Sequence, residues 1–332
     1  MRKFLIPVIF SILLFSQCKK DNNGSTPTTS TVKPAINSIA VDNQKNIWFA
    51  TDSGLYKYNN TDWTRYELPI VVQKINSLDI KNDTLLLSTP AGALLLKIEV
   101  TGISVIDQYN TIVTPIISDT VNVAGFDPYN NTWFGTYVGL SMLNGTQWSS
   151  NTKINYQLIS HYDKISCAAF RQNDFFFGTY GKSLWHLNYN KDIDAVSGAS
   201  RMIQDLNGAY TTDTIFSLYA ASDSSIWIGS TAGLTRNIGS THKDIGDFQY
   251  FLGGERVHSI IESSDGRMWA GTENGIYVKE GTVWTNYTKT DGLADNFVLS
   301  LAEDKDSGIW IWTKKGPSLY KSGTFTNYNL HK

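Results

Sequence analysis

Elimination chemistry needs a base and an electrophilic clamp on one face. In this chain of 332 residues, His258 with Arg256 and Glu273 is the one constellation that could supply them. A second set of residues suits recognition instead. Tyr137, Tyr180, Lys182, Arg256 and Glu273 combine aromatic faces with charged or bidentate donors and acceptors, as a sugar or short peptide requires. His258 and Lys314 complete the candidate ligand-binding set. Taken singly, each of these residues reads equally well as a solvated loop residue or turn former. The chain has no P-loop, no His-Glu-x-x-His and no Gly-x-Ser-x-Gly. Its histidines at 161, 186, 242, 258 and 331 are scattered rather than at ligand spacing, so neither a metal nor any other cofactor is expected. Cys167, within Ile165-Ser166-Cys167-Ala168-Ala169, reads as a buried small apolar residue of an inner strand.

The elements that must position these residues come from a repeat. Trp48-Phe49-Ala50-Thr51 is followed by Gly54-Leu55, and Trp133-Phe134-Gly135-Thr136 by Gly139-Leu140. The same order returns at Trp227 to Leu234, at Trp269 to Ile276 and around Trp310 to Gly316. Weaker copies at Leu86 and Phe176 bring the total to seven, with steps of 38 to 51 residues between them. Such a period, filled by strand-like units, marks a propeller or solenoid array.

Within one unit the apolar runs Ile36 to Val41, Ile47 to Thr51, Leu55 to Tyr58 and Trp63 to Tyr66 are separated by Asp, Asn, Gly and Ser. That pattern predicts four antiparallel up-and-down strands. One such sheet is apolar on both faces and cannot stand alone, whereas seven packed radially bury each other. The expected fold is therefore all-β: a seven-bladed β-propeller of four-stranded antiparallel blades over residues 36–332. The repeated Trp residues should fill the gaps between blades. The Thr or Ser three residues on should bond the following turn, and the Gly after it should supply positive φ. Blade four is irregular, since Gly181 comes one residue early and Lys191 to Ala209 reads as a polar excursion on its outer side. The turns Ser264-Asp265-Gly266 and Asp306-Ser307-Gly308 look faintly like the Asp boxes of sialidase propellers and read as hairpin chemistry. The repeats start on a first strand and end on a fourth, so no strand exchange between the ends is evident; Thr31 to Ala35 is the segment that could add to an edge.

Val283-Trp284-Thr285-Asn286-Tyr287, then Thr290 to Asn296, then Val298 to Asp304, together resemble the two-component regulator propeller repeat. So does Ile36 to Leu55. The resemblance implies the sensor propeller of hybrid two-component systems, an extracytoplasmic module that detects carbohydrate and other signals. No kinase core, receiver domain or second membrane segment accompanies the repeats here, so the resemblance is to the sensor module alone.

Residues 1–18 read as a targeting segment. Arg2 and Lys3 precede an apolar run from Phe4 to Phe15, and Ser16-Gln17-Cys18 ends it. A Cys at that place resembles the acylation site of bacterial lipoproteins; the alternative is an ordinary signal peptide in which Cys18 is removed or idle. Residues 19–35, polar and rich in Ser, Thr and Pro, read as a flexible tether. With 28 Lys and Arg against 30 Asp and Glu, no nucleic-acid partner is expected.

Three readings stay open at this level. The first is a non-enzymatic, lipid-anchored propeller of the bacterial envelope, outer membrane or periplasm-facing, expected as a monomer, that binds a glycan, peptide or protein. The second is an enzyme similar to the seven-bladed streptogramin lyases, or a hydrolase. The third is a structural protein-docking disc.

Overall fold

The computed structural model of the protein describes residues 36–68, 74–150, 164–181, 184–190, 195–202, 214–238 and 248–328. The expected signal segment, the tether, Cys18 and Lys182 lie outside them.

Seven four-stranded antiparallel sheets follow one another along the chain, each built from four consecutive strands. The first comprises β1 (Ile36–Val41), β2 (Ile47–Thr51), β3 (Gly54–Tyr58) and β4 (Trp63–Tyr66). The second comprises β5 (Ser77–Lys81), β6 (Thr84–Thr89), β7 (Gly92–Glu99) and β8 (Gly102–Tyr109). The third holds β9 (Val121–Phe126), β10 (Thr132–Thr136), β11 (Gly139–Asn144) and β12 (Gln147–Ser150), and the fourth β13 (Ile165–Arg171), β14 (Asp174–Thr179), β15 (Leu184–Asn190) and β16 (Ala195–Met202). The fifth holds β17 (Ile215–Ala220), β18 (Ile226–Ser230), β19 (Gly233–Asn237) and β20 (Phe248–Phe251). The sixth holds β21 (Val257–Glu262), β22 (Met268–Thr272), β23 (Gly275–Glu280) and β24 (Val283–Tyr287), and the seventh β25 (Val298–Glu303), β26 (Ile309–Thr313), β27 (Gly316–Lys321) and β28 (Thr324–Asn327). The innermost strand of each sheet packs on that of the next, and β25 packs on β1. This is the expected seven-bladed propeller. One correction concerns blade four: the polar stretch read as an excursion supplies its fourth strand, β16, paired along β15.

Second strands such as Ile47–Thr51 and Ile309–Thr313 are buried at every position, because each is covered by a neighbouring blade on both faces. That is why they read as continuous apolar runs rather than alternating ones. The repeated position packs forward around the ring. Trp48 sits among Ile75, Leu85 and Leu94 of blade two, Trp133 among Ile165, Phe175 and Phe177 of blade four, and Trp269 among Val298, Leu301 and Ile311 of blade seven. Leu86 and Phe176 stand in for Trp in the two weaker copies and pack forward in the same way. Closure of the ring uses the same contact: Trp310 and Trp312 meet Ile39, Ile47, Phe49 and Tyr58 of blade one.

Three of these indoles are tied by a carboxylate six residues earlier. Trp133 Nε1 donates to Asp127 Oδ2 at 2.9 Å, Trp48 to Asp42 at 2.8 Å and Trp310 to Asp304 at 3.2 Å. The same Asp127 also accepts from the backbone N–H of Tyr129 and Asn131, which fixes the turn between the first and second strands. The turn between the second and third strands follows the expected rule. Thr272 Oγ1 donates to Gly275 O at 3.0 Å and accepts from Asn274 N at 3.0 Å. Gly275 has φ +117° there, and a Cβ at that place would lie 2.4 Å from Tyr287 O.

Candidate functional site

One residue at or just ahead of the start of each inner strand lines the central channel, and in six of the seven blades a bulge puts it there. In six blades the first strand slips register by one residue against the second, between Ile36 and Ser38, Val257 and Ser259, and the equivalent pairs. The skipped residues are Asn37, Asn122, Ser166, Phe216, His258 and Leu299, and Asn76 takes the equivalent place just ahead of β5. All seven line a cavity of about 410 Å³ at the channel mouth. A bulge releases its residue from the pleat and re-aims it, so these side chains escape the strand alternation.

The seven are divided unequally. In blades one to four, each donates to a backbone carbonyl of the next blade: Asn37 Nδ2 to Ile75 O at 2.8 Å, Asn76 to Val121 O at 2.7 Å, Asn122 to Ile165 O at 2.8 Å, and Ser166 Oγ to Ile215 O at 2.5 Å. In blades five to seven, Phe216, His258 and Leu299 take the positions instead. The His258 ring lies 4.8 Å from Phe216 and stacks at 5.1 Å on Phe297. At this position one side of the ring is amide and hydroxyl and the other apolar with an imidazole, although Ser217, Ser259 and Ser300 bring hydroxyls to the cavity on that side too.

Two further repeat positions crown the mouth. The first stands two residues before the channel-lining residue (Lys74, Thr120, Lys164, Thr214, Arg256 and Phe297). The second follows the repeated Thr or Ser (Asp52, Tyr137, Tyr180, Thr231, Glu273 and Lys314). Within a blade they are brought together by a backbone hydrogen bond, as from Tyr180 N to Lys164 O at 3.0 Å and from Lys314 N to Phe297 O at 3.0 Å. Their side chains then pair. Lys164 Nζ sits 4.1 Å from the Tyr180 ring centre and 5.1 Å from that of Tyr137; Lys314 Nζ sits 3.4 Å from that of Phe297. Arg256 faces Glu273 at 3.7 Å.

The candidate residues therefore form two groups on one face. Tyr137 and Tyr180, 54% and 41% exposed, bracket Lys164. Arg256, Glu273, His258 and Lys314 form the other group, with His258 Nε2 3.3 Å from Glu273 Oε1. Burial holds the His258 imidazole below its ordinary pKa of 6.5; Glu273 pulls it up, while Arg256 and Lys314 push it down. The ring is accordingly neutral at pH 7, able to donate from one nitrogen and accept at the other. Burial also raises the Tyr180 phenol. Cys167 is buried as expected, and its burial pushes the thiol up to about 12, which makes it inert. Among the described residues no cluster of His, Cys, Asp or Glu could hold a metal.

Lys164, Phe216 and Phe297 belong to this face and were not among the sequence candidates. The signal that finds Lys164 and Phe297 is the repeat register itself, since both occupy the position that holds Arg256 in blade six.

Residues 252–274 match the model of the two component regulator propeller. One copy of that repeat therefore lies at residues 252–274, in blade six. The matched stretch contains Arg256, His258 and Glu273, so the repeat frames the second residue group. No curated protein matches the sequence. Among solved structures, the chain is similar to the extracellular domain of a hybrid two component system from B. thetaiotaomicron, with TM-score 0.67, 18% identity, and coverage of 87% of this chain and 38% of that one. It is similar to PorZ, a surface component of the type-IX secretion system of Porphyromonas gingivalis, with TM-score 0.69, 17% identity, and coverage of 87% and 47%. It is also similar to a catalytically inactive virginiamycin B lyase from Staphylococcus aureus in complex with quinupristin, with TM-score 0.65, 14% identity, and coverage of 87% and 94%. At these identities the likeness shows the propeller fold. The chain spans less than half the length of the first two structures.

Proposed function

We propose that this protein is an extracytoplasmic recognition propeller that binds a glycan, peptide or protein of the bacterial envelope at its channel mouth, without catalysis. The observation that carries the reading is the division of the mouth. At the bulge position four blades present amide and hydroxyl groups and three present Phe216, His258 and Leu299, beneath paired cations and exposed tyrosines. Loops on a rigid scaffold around a polar-and-aromatic concavity are where binding residues concentrate. The extracellular domain of a hybrid two component system among the similar structures supports an extracytoplasmic setting. The anchor is a lipid on Cys18, with residues 19–35 as the tether that holds the propeller off the membrane. No helix among the described residues is long and apolar enough to cross a membrane.

The test is thermal denaturation of the full-length chain in detergent against neutral and acidic glycan fragments and short peptides. A ligand at about 100 times its Kd adds roughly 2.7 kcal/mol, a shift of a few degrees. A saturable shift supports the reading, and its absence across the panel moves the account to a protein-docking disc.

One observation favours a second reading, a lyase: the neutral His258 imidazole bonded to Glu273 at 3.3 Å beside Arg256. It predicts ring opening of a cyclic depsipeptide such as quinupristin and loss of that turnover in His258→Ala. An intact quinupristin after incubation with the wild-type chain removes it.

A further inference from the structure

The cations of the channel-mouth face fall into two kinds. Lys74 is 3.9 Å from Asp52, Lys315 is 3.5 Å from Asp295, and Arg256 is 3.7 Å from Glu273. Lys164 and Lys314 have no carboxylate within ion-pair distance among the described residues; each is seated on aromatic rings instead, at 4.1 Å from Tyr180 and 3.4 Å from Phe297. A ring quadrupole holds an ammonium in place without cancelling its charge. Both positions thus keep a full positive charge and N–H donors for something outside the chain. Each is joined to the cavity through its ring. Tyr180 lines it directly, and Phe297 stacks on His258, which lines it too.

Between them runs the polar arc. Asn37, Asn76 and Asn122 use their amide N–H groups on backbone carbonyls, and no hydrogen bond from a described residue reaches their Oδ1 atoms. That leaves three amide oxygens bordering the cavity as acceptors for hydroxyl donors. Resting on the recognition reading above, we propose that the mouth takes an acidic oligosaccharide, its carboxylates met by Lys164 and Lys314 and its hydroxyls by Asn37, Asn76 and Asn122. Charge-assisted hydrogen bonds of this kind are stronger than neutral ones, so the carboxylates would set the preference and the hydroxyls the fit.

The experiment is calorimetric titration of the full-length chain in detergent with a uronate panel (oligogalacturonate, oligoalginate and a hyaluronate tetrasaccharide), the methyl esters of the same sugars, and a triglutamate peptide. At least one uronate should bind, its ester more than about tenfold more weakly, with affinity falling as salt rises. Lys164→Met and Lys314→Met should each lose about ten- to hundredfold. Lys164→Arg should retain most of the affinity. Lys279→Met, at the far end of blade six, should change nothing. If acid and ester bind equally, or if neutral glycans bind and no uronate does, the acidic preference is wrong while recognition stands. If triglutamate binds and no uronate does, the saccharide is wrong. If nothing in this panel or the glycan and peptide panel above binds, the acidic oligosaccharide is wrong and small-ligand recognition falls with it, leaving a protein partner.

Discussion

His258 Nε2 lies 3.3 Å from Glu273 Oε1, with the imidazole enclosed between Phe216 and Phe297. The carboxylate favours the protonated ring and the burial opposes it; burial wins, so the folded chain binds a proton here less readily than the unfolded one. Above the ordinary pKa of 6.5 the ring is neutral in both states and costs nothing. As pH falls below that value, the unfolded chain gains a proton that the folded chain refuses, and stability falls until the folded group titrates. His258→Phe keeps the ring stack and removes the titration. Its Tm should therefore drop less than that of the wild type between about pH 7.5 and 5.5, and parallel Tm profiles for the two proteins would show that His258 is not the group responsible.

Cys167 should be silent in the native chain. The residue is 8% exposed and burial pushes its thiol up to about 12, so almost no thiolate exists at pH 8. Mass spectrometry of the peptide containing Cys167 after iodoacetamide treatment should show no adduct until denaturant is added. Labelling of the folded protein at the rate of a free thiol would mean that the channel wall opens.

Asp127 should be a stability residue although it sits in a turn. It is 1% exposed and accepts from two backbone N–H groups, the Asn131 amide and the Trp133 indole. Asp127→Ala strands these donors, at a cost of about 3 kcal/mol in chemical denaturation. A loss below about 1 kcal/mol would show that water replaces the carboxylate.

Ring closure should depend on indole packing rather than on charge. Trp310 lies against Phe49, Tyr58 and Tyr328 at the seam of blades seven and one. Trp310→Ala should cost about 3–5 kcal/mol. Lys45 and Asp306 bridge the same seam in the open, with half-exposed side chains, so Lys45→Ala should leave the denaturation midpoint unchanged. The reverse order of effects would make the ion pair the latch.

The fold was legible because it is written seven times. Trp48, Trp133, Trp227, Trp269 and Trp310 share one position relative to the Thr or Ser and the Gly that follow, and a strand buried on both faces leaves a continuous apolar run. The Asp127–Trp133 bond was less visible, since Asp at the head of a hairpin already has a sufficient reason in turn chemistry. Blade four misled for a physical reason as well. Ala195–Met202 carries Ser, Gly and Arg, as an outermost strand with one unpaired edge can, and polarity without apolar alternation reads as loop.

The site was only half visible. Tyr137, Tyr180, Glu273 and Lys314 follow the repeated Thr, so the turn rule located them. The channel ring of Asn37, Asn122, Ser166, Phe216, His258 and Leu299 depends on bulges, and Asn76 joins it from just ahead of β5. A one-residue slip sends a side chain to the other face, and no propensity in the sequence marks where the slip occurs. Phe216 sits at one of these slips and Phe297 two residues ahead of another, so neither stood out.

The most direct measurement compares the two faces of the disc for any ligand that shifts the Tm of the full-length chain. Tyr180→Ala and Arg256→Ala alter the channel-mouth face, whereas Arg267→Ala alters the turn between β21 and β22 at the other end of blade six. The account predicts that the ligand-induced shift disappears in the first two variants and persists in the third. A shift that survives Tyr180→Ala and Arg256→Ala and is lost in Arg267→Ala would contradict it, and would place recognition on the opposite face.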